Sequence, residues 1–440
     1  MMQKKNIWAV LAAVLLMVLA TNGVMADEEV FKSRDYEYRV LEDGAAEITS
    51  YSGKDSVLKI PNTLDGKTVT SIGDEAFSGC RALTSIELPD SVTSMGVNLF
   101  AGCESLKNIQ VSLEQPVFAV IDGVLFNKAE KSLICYPAGK QEEAYEVPQG
   151  IQQIKFGAFA GCRFLTTIEL PDSVTSIGDG AFAECSALTN IELPDGLTSI
   201  GEYAFLGCSA LTSIELPDSV TSIGDSAFLG CSALTNIELP DSVTSMGVNP
   251  FEGCMSLKNI QVSPEQPVFA VIDGVLFNKA EKSLICYPTG KQEEAYEVPQ
   301  GIQQIKFDAF AGCRFLMTIE LPDSVTSIGD FAFAGCSSLT SIELPDSVTS
   351  IGDVAFSYCR SLTSIELPDS VTSIGESAFY RCRSLTSIEL PDSVTSIGDR
   401  AFEKCDNLTM TVQRDSYAAR YAKDNNLNYT YPDANDWLNN

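Results

Sequence analysis

The apolar residues of this chain recur with a period of 23 residues over most of its length. In the unit formed by residues 211–234 they occupy nine positions: Leu211, Ile214, Leu216, Val220, Ile223, Ala227, Phe228, Cys231 and Leu234. Neither an amphipathic helix of that length nor a single strand accounts for this spacing. The pattern therefore predicts several short elements in each unit.

Each unit predicts two short strands and one helical turn. The step Ile214-Glu215-Leu216 alternates as a strand does, with the glutamate turned outward, and Pro217 ends the strand. A second short strand covers 220–223. Asp225 is a suitable N-cap for one helical turn that carries Ala227 and Phe228.

One unit cannot bury its apolar side chains alone, so successive units must stack at about 4.8 Å, the spacing of paired strands. The signature F-x-x-C-x-x-L occurs twelve times, at intervals of 23 residues except for two jumps of 59. Each jump holds a variant pair of coils, at 117–154 and at 268–305. We therefore expect a β-rich leucine-rich repeat solenoid of the α/β repeat class, with about fourteen coils of 23 residues.

A longer period overlies the first. Residues 94–179 match residues 245–330 at a shift of 151 with seven differences: Leu99/Pro250, Ala101/Glu252, Glu104/Met255, Leu113/Pro264, Ala138/Thr289, Gly157/Asp308 and Thr166/Met317. The array was therefore enlarged by tandem duplication of a block. A catalytic site depends on one constellation, whereas a surface that binds along its length tolerates extension. Duplication favours a binding surface.

The two ends of the chain differ from the repeats and predict caps. We expect a signal peptide at 1–26, a β-hairpin cap at 27–56 that turns at Asp43-Gly44, the repeat array at 57–412, and a C-terminal cap and tail at 413–440. The signal peptide has a charged start, an apolar run at 7–20 and a small-residue cleavage site. The run is too short to span a bilayer, so we expect a secreted or cell-surface protein.

Charge and composition exclude several functions. The chain has 29 basic and 59 acidic residues and no histidine. The signal peptide contributes two lysines and no acids, so residues 27–440 carry a net charge of −32. Nucleic acid and membrane insertion are thus poor expectations, because anionic partners need a cationic footprint. The absence of histidine excludes Ser-His, Cys-His and His-zinc chemistry.

The repeat unit L-x-x-I-x-L-P-x-x-V-x-x-I-G-D-x-A-F-x-x-C, the variant I-D-G-V-L-F coil, the hairpin start and the ending SYAARYAK resemble the BspA-type leucine-rich repeat family. The resemblance covers about Asp35 to Tyr429. It implies a leucine-rich repeat solenoid. Members are typically secreted or surface proteins of anaerobic bacteria of the mouth and gut, and some of parasitic protists. The better-understood members resemble adhesins for host matrix proteins or other cells, so the resemblance implies adhesion.

The outward glutamate of each strand forms the main candidate site. Ten of these residues are candidates for binding: Glu146, Glu169, Glu192, Glu215, Glu238, Glu297, Glu320, Glu343, Glu366 and Glu389. Like charges on adjacent strands repel, so such a column does not serve stability. One interpretation is a docking face for a basic partner, and another is a row of weak calcium sites. The alternative is that duplication copied a solvated residue that keeps a β-rich edge soluble.

Cysteines and tyrosines provide further candidates. Twelve of the fourteen cysteines share one repeat position, where we expect buried free thiols, because parallel stacking holds their β-carbons farther apart than a disulfide allows. Cys135 and Cys286 align with the glutamate column, and a shift of one residue would bury them.

The variant loops at 110–119 and 137–145, with copies at 261–270 and 288–296, predict projecting recognition segments. Their tyrosines fit either a partner or the core: Tyr136, Tyr145, Tyr287 and Tyr296.

We therefore expect a non-enzymatic protein that binds a protein or glycan on host or neighbouring cells, a basic one among the candidates, with no cofactor beyond weakly bound calcium. A structural spacer with no specific ligand is the alternative, and a secreted hydrolase is a remote one.

Overall fold

The computed structural model describes residues 29–432. The chain winds about 17 turns of a β-solenoid with a repeat of about 23 residues, and the one helix among the described residues lies at their C-terminal end. The predicted leucine-rich repeat fold is confirmed. The number of turns exceeds the fourteen coils counted from the sequence, because both ends add turns that lack the F-x-x-C-x-x-L signature.

One side of the solenoid is a parallel sheet that we call the glutamate sheet. Seven of its strands contain the Ile-Glu step, in which the isoleucine is buried and the glutamate is exposed, or half-buried in the case of Glu87. These strands are Val57–Lys59, Ser85–Glu87, Asn108–Gln110, Ala144–Glu146, Thr167–Glu169, Asn190–Glu192, Asn236–Leu239, Asn259–Val262, Ala295–Glu297, Thr318–Glu320, Ser341–Ile342, Ser364–Glu366, Ser387–Leu390, Thr409–Val412 and Asn428–Thr430. Inward and outward side chains alternate, as the sequence predicts.

A second side is the serine sheet, formed by two-residue to six-residue strands, eight of which contain the Ser-Ile step. Its strands are Lys67–Ile72, Ser94–Met95, Ser132–Cys135, Gln153–Ile154, Ser176–Ile177, Ser199–Ile200, Ser222–Ile223, Ser245–Met246, Ser283–Cys286, Gln304–Ile305, Ser327–Ile328, Ser350–Ile351, Ser373–Ile374 and Ser396–Ile397. Consecutive strands pair in parallel, for example Ile177 with Ile200. The Ser-Ile strand predicted by each repeat is confirmed.

The third side corrects the expected helical turn. Its residues form reverse turns. One of these turns is closed by a hydrogen bond of 3.0 Å from the Leu206 N–H to the Tyr203 carbonyl. Alternate N–H groups donate to the next coil instead of continuing a helix: Phe205 to Ala227 and Gly207 to Leu229, both at 2.7 Å. This third ladder of bonds between coils satisfies the backbone groups that a helix would otherwise pair internally.

A column of aromatic rings fills the core between the three sides. Phe205 is fully buried, and its ring centroid lies 5.2 Å from that of Phe182 and 5.4 Å from that of Phe228. Beside this column, the Cys208 thiol donates to the carbonyl of Phe182 at 3.1 Å. Each coil therefore contributes one ring and one thiol to a continuous interior, and one coil alone could not bury them.

Two antiparallel hairpins mark the duplicated blocks. The first is formed by Phe118–Ile121 and Val124–Asn127, and the second by Phe269–Ile272 and Val275–Asn278. The turn of the first hairpin, Asp122-Gly123, has φ of 50° and 80°, and two consecutive positive φ values are typical of a type I′ turn. Each hairpin begins an eight-stranded section of the serine sheet.

The caps have the expected structures. At the N-terminal end, Tyr36–Val40 and Ala46–Tyr51 form the predicted hairpin, and Val30–Ser33 adds a third antiparallel strand. A short strand Thr63–Leu64 pairs with Lys67–Ile72. At the C-terminal end the helix Tyr417–Asp424 is capped by Ser416, whose side chain accepts the Ala419 N–H. The predicted domain boundaries stay predictions, and the signal peptide and the last eight residues lie outside the described residues.

Candidate binding face

The ten candidate glutamates lie on the glutamate sheet, and all are exposed. They form two runs of five, Glu146 to Glu238 and Glu297 to Glu389, with Gln261 between them. Several neighbours within a run are register partners: Glu146 with Glu169, and Glu169 with Glu192. Glu297 pairs in the same way with Glu320, and Glu366 with Glu389. The structure thus places the predicted residues in one outward column.

No cation neutralises this column within residues 29–432, because none of the ten glutamates forms an ion pair there. The first coils differ, since Lys59 lies 2.6 Å from Glu87. At about 4.8 Å between strands, neighbouring carboxylates lie well within the screening length of physiological salt. The column is therefore a continuous negative surface that attracts cations.

The strand ladder is not uniform along the first run. Glu215 lies in a coil with no assigned strand at this position, and the sheet is divided there between Asn190–Glu192 and Asn236–Leu239. The N–H of Thr212 lies 3.5 Å from the carbonyl of Thr189, which is longer than the 3.0 Å bond from Thr189 to Thr166 in the preceding coil. The backbone is less tightly paired at Glu215 than at Glu169.

The hairpins interrupt the glutamate sheet at both ends of the first run. The turn residue Gly123 accepts the N–H of Ile109 at 3.2 Å, so the turn occupies the place of a strand. Lys140 holds the turn from the next coil: its Nζ donates to the Asp122 carbonyl at 2.9 Å and lies 3.1 Å from Glu142. Each run of five glutamates is therefore preceded by a hairpin.

A second acidic column has a structural role that differs from the predicted one. The sequence predicts Asp225 as the N-cap of its own turn, but its Oδ1 accepts the N–H of Val248, in the next coil, at 2.8 Å. Asp179 and Asp330 do the same for Glu202 and Asp353. These carboxylates satisfy backbone donors between coils, which accounts for their repetition without a ligand.

No group of three or more cysteine, aspartate and glutamate side chains among residues 29–432 is arranged to hold a metal ion. A calcium ion takes six to eight oxygen ligands, and a single column of carboxylates on separate strands supplies few of them to one point. Calcium binding by this face stays a prediction.

The alignment of Cys135 and Cys286 with the glutamate column is wrong. Their strands belong to the serine sheet, where Leu133 pairs with Ile154 and Leu284 with Ile305. The reason is that an aromatic residue follows each cysteine directly and takes the place of the phenylalanine of other coils. Cys286 is buried and Cys135 is half-buried.

The other cysteine prediction is confirmed. All fourteen cysteines are free, and of the twelve at the repeat position eleven are buried and Cys80 is half-buried. Burial raises the pKa of the Cys231 thiol to about 12, so it is protonated at neutral pH. These thiols are packing groups rather than a site.

The variant tyrosines belong to the core. Tyr136 is buried, stacks on Phe159 with ring centroids 5.4 Å apart, and meets Tyr145 edge-on at 4.8 Å. Tyr287 and Tyr296 repeat this arrangement at 5.0 Å. They are not available to grip a partner in this conformation.

Sequence reasoning missed one cluster. Asn249, Glu252 and Asp308 come together beside the second hairpin, with Asp308 buried. A signal was present, because Glu252 and Asp308 are two of the seven differences between the blocks and both introduce a carboxyl group.

Stacked parallel coils with a leucine and isoleucine interior define a leucine-rich repeat solenoid. The profile of the BspA type leucine rich repeat region matches residues 29–131, 143–279 and 289–411, in six copies. The chain belongs to the BspA-type leucine-rich repeat family.

Solved structures resemble the whole array. A leucine rich cell surface protein from Faecalibacterium prausnitzii A2-165 is 32% identical over 91% of this chain and 98% of that chain, with a TM-score of 0.61. The pneumococcal vaccine antigen PcpA is 22% identical over 92% of this chain and 99% of that chain, with a TM-score of 0.51, and shares the fold. The comparison with curated proteins gives no match.

Among the described residues, no helix has the length and apolar character needed to cross a membrane.

Proposed function

We propose that this protein is a secreted or cell-surface binding protein that engages a protein or glycan on host or neighbouring cells through its glutamate sheet. The partner presents cationic groups along an extended surface. The observation that supports this most is the exposed column of ten glutamates, several of them register partners on parallel strands and none in an ion pair in the described chain.

Electrostatics favours a binding role over a purely structural one. A like-charge pair on adjacent strands destabilises a sheet by roughly 0.2–1 kcal/mol, and the repeat carries this cost in most coils. The acidic column on the third side is accounted for by bonds to backbone N–H groups, but the glutamate column has no such contacts within the fold. A basic partner would relieve the repulsion.

An extracellular location is part of the proposal. It is supported by the signal-peptide pattern at 1–26 and by the likeness to a cell surface protein that covers nearly the whole chain. The large negative charge disfavours nucleic acid as a partner.

The test is a solution binding screen of residues 27–440 against extracellular-matrix proteins and glycans, with and without calcium. The proposal predicts saturable binding to a basic member of the panel that weakens as salt rises, because exposed charges are screened. Saturable binding that requires calcium would assign the face to metal-bridged recognition. A folded protein that binds nothing in the panel would support the spacer alternative instead.

A further inference from the structure

Three polar side chains meet beside the second hairpin in a buried position. Asp308 is 4% exposed. The Asn249 side-chain nitrogen donates to the Asp308 carbonyl at 3.0 Å and to its carboxyl Oδ2 at 3.3 Å, across 59 residues of chain. Glu252 closes the same turn as Asn249, to whose carbonyl its N–H donates at 3.4 Å. Its half-buried carboxylate lies near enough to oppose ionisation of Asp308.

The first block lacks the carboxyl groups at this junction, and its backbone differs at the asparagine: Asn98 has φ of 55°, whereas Asn249, which precedes Pro250, is not in the left-handed region. Gly157 takes the place of Asp308 and Ala101 the place of Glu252, whereas the asparagine is kept as Asn98. Gly157 has φ of 59° and Asp308 has φ of 58°. A Cβ added to Gly157 would lie 3.4 Å from Asn98 Oδ1, so an aspartate there would lie beside the asparagine, whose side-chain nitrogen donates to Glu75 Oε1 at 3.2 Å.

Asp308 carries three costs that the first block avoids. It holds a left-handed backbone conformation that glycine adopts more readily. Its carboxyl group is buried, and burial disfavours the charged form. Its ionisation is also opposed by Glu252 and by the thiol of Cys336. Asp308 in turn opposes ionisation of the thiols of Cys286 and Cys313.

Among the described groups that shift the pKa of Asp308, none is a cation. The nearest lysine in sequence, Lys306, lies 2.9 Å from Glu281. Burial, and then the Glu252 carboxylate, raise the pKa of Asp308 to about 9, while the bond from Asn249 acts in the opposite direction. Burial also raises the pKa of Glu252. Asp308 is therefore an uncharged acid in the folded protein at neutral pH.

We propose that Asp308, Glu252 and Asn249 form a proton-operated latch at the junction beside the second hairpin, which closes when Asp308 is protonated and loosens when it ionises. The first junction, with Gly157 and Ala101, lacks the latch. Duplication thus produced two related junctions, only one of which responds to pH. This inference is independent of the proposed binding function.

The direction in which pH changes the stability of the second junction follows from proton linkage. The folded state holds the Asp308 proton more tightly than the unfolded state, whose ordinary pKa is about 4. The stabilisation is fully present below that value and is lost as pH rises toward about 9. Opening of the junction releases one proton and closing takes one up. The equilibrium between the closed and open junction therefore changes up to tenfold per pH unit. The second junction should therefore open more readily in alkaline than in acidic solution.

The test compares two matched segments within one molecule by hydrogen exchange and mass spectrometry. Residues 156–166 and 307–317 differ only at Gly157/Asp308 and Thr166/Met317. The ratio of the exchange rates of the two segments therefore cancels the intrinsic dependence of exchange on pH. We expect the protection of 307–317 relative to 156–166 to fall with pH between 5 and 9, by up to tenfold per unit. Asp308→Gly, which restores the residue of the first block, should abolish the slope.

The reciprocal change provides the control for folding. The double variant Ala101→Glu with Gly157→Asp should give 156–166 the same pH dependence and make the ratio flat. Glu252→Gln keeps the size of the side chain and removes a charge, so the pKa of Asp308 should fall and the loss of protection should end at a lower pH.

In the Glu252→Gln variant, the loss of protection is thus complete at a lower pH than in the unchanged protein, because one of the two causes that raise the pKa of Asp308 has been removed. A protection ratio that does not change with pH in the unchanged protein would overturn the latch. So would a slope that survives in Asp308→Gly.

Discussion

Glu169 and Glu192 are register partners on neighbouring parallel strands, and both side chains are exposed. Glu146 is the partner of Glu169 on its other side. Glu169 therefore has a like charge on each neighbouring strand, while Ile168 and Ile191, which precede Glu169 and Glu192, are buried in the core. The same strand thus contributes packing on its inner face and repulsion on its outer face.

Replacing Glu169 by lysine should stabilise the fold, because two repulsive pairs become attractive and each pair contributes roughly 0.2–1 kcal/mol. Glu238→Lys is the matched control, since the strand partner of Glu238 is the uncharged Gln261. Urea unfolding at low salt should give the larger gain for Glu169→Lys, and the difference should shrink at high salt. Equal effects of the two substitutions would contradict the repulsion.

The third side of the solenoid contains a strained position that glycine would relieve. Val354 has φ of 59°, and the equivalent residue Gly180 has φ of 58°. A β-branched residue in the left-handed region costs on the order of 1–2 kcal/mol. Val354→Gly should therefore raise the urea midpoint, and Gly180→Val should lower it. A lower midpoint for Val354→Gly would show that the valine side chain contributes more through packing than its backbone costs.

Much of the fold follows from the repeat. The Ile-Glu-Leu step, the Ser-Ile step and the phenylalanine predict the two sheets and the core column, because each apolar position recurs in every coil and stacks on its own copy. The outward position of the glutamates follows from strand alternation alone. Whether any partner contacts them depends on a second molecule, so the chain by itself cannot specify it.

Other features required contacts between coils that one unit does not reveal. Asp225 has the sequence position of an N-cap, but the free donor it meets belongs to Val248, in the next coil. Alignment on proline misplaced Cys135, because Pro137 follows the core aromatic Tyr136 instead of ending a glutamate strand. The Asp308 cluster joins residues 59 apart across a hairpin, and its contacts depend on two coils that stack past that hairpin.

The buried thiols should be inert in the folded protein. The Cys208 thiol donates to a backbone carbonyl and is fully buried, and burial raises its pKa well above the ordinary value. Cys80 is half-buried. Titration with a thiol-specific reagent at pH 8 should therefore modify Cys80 first and leave Cys208 unmodified until denaturant is added. Rapid modification of Cys208 without denaturant would contradict the packed interior.

The aromatic column should contribute strongly to stability. Phe205 is fully buried between Phe182 and Phe228, so Phe205→Ala should cost about 3–5 kcal/mol. Phe164 is 48% exposed and serves as the control, since its replacement by alanine should change stability little. Denaturant unfolding monitored by circular dichroism measures both effects. Similar losses for the two variants would contradict the assignment of the core.

The most direct test of the binding proposal compares two variants with the same change in charge. One replaces Glu169, Glu192, Glu215 and Glu238 by glutamine, and the other replaces four exposed turn aspartates of the same coils by asparagine: Asp172, Asp195, Asp218 and Asp241. Binding to the basic matrix protein found in the screen is measured for both at several salt concentrations. The account predicts that only the glutamine variant loses affinity and salt dependence. Equal losses in both variants would show that net charge, not the glutamate sheet, binds the partner.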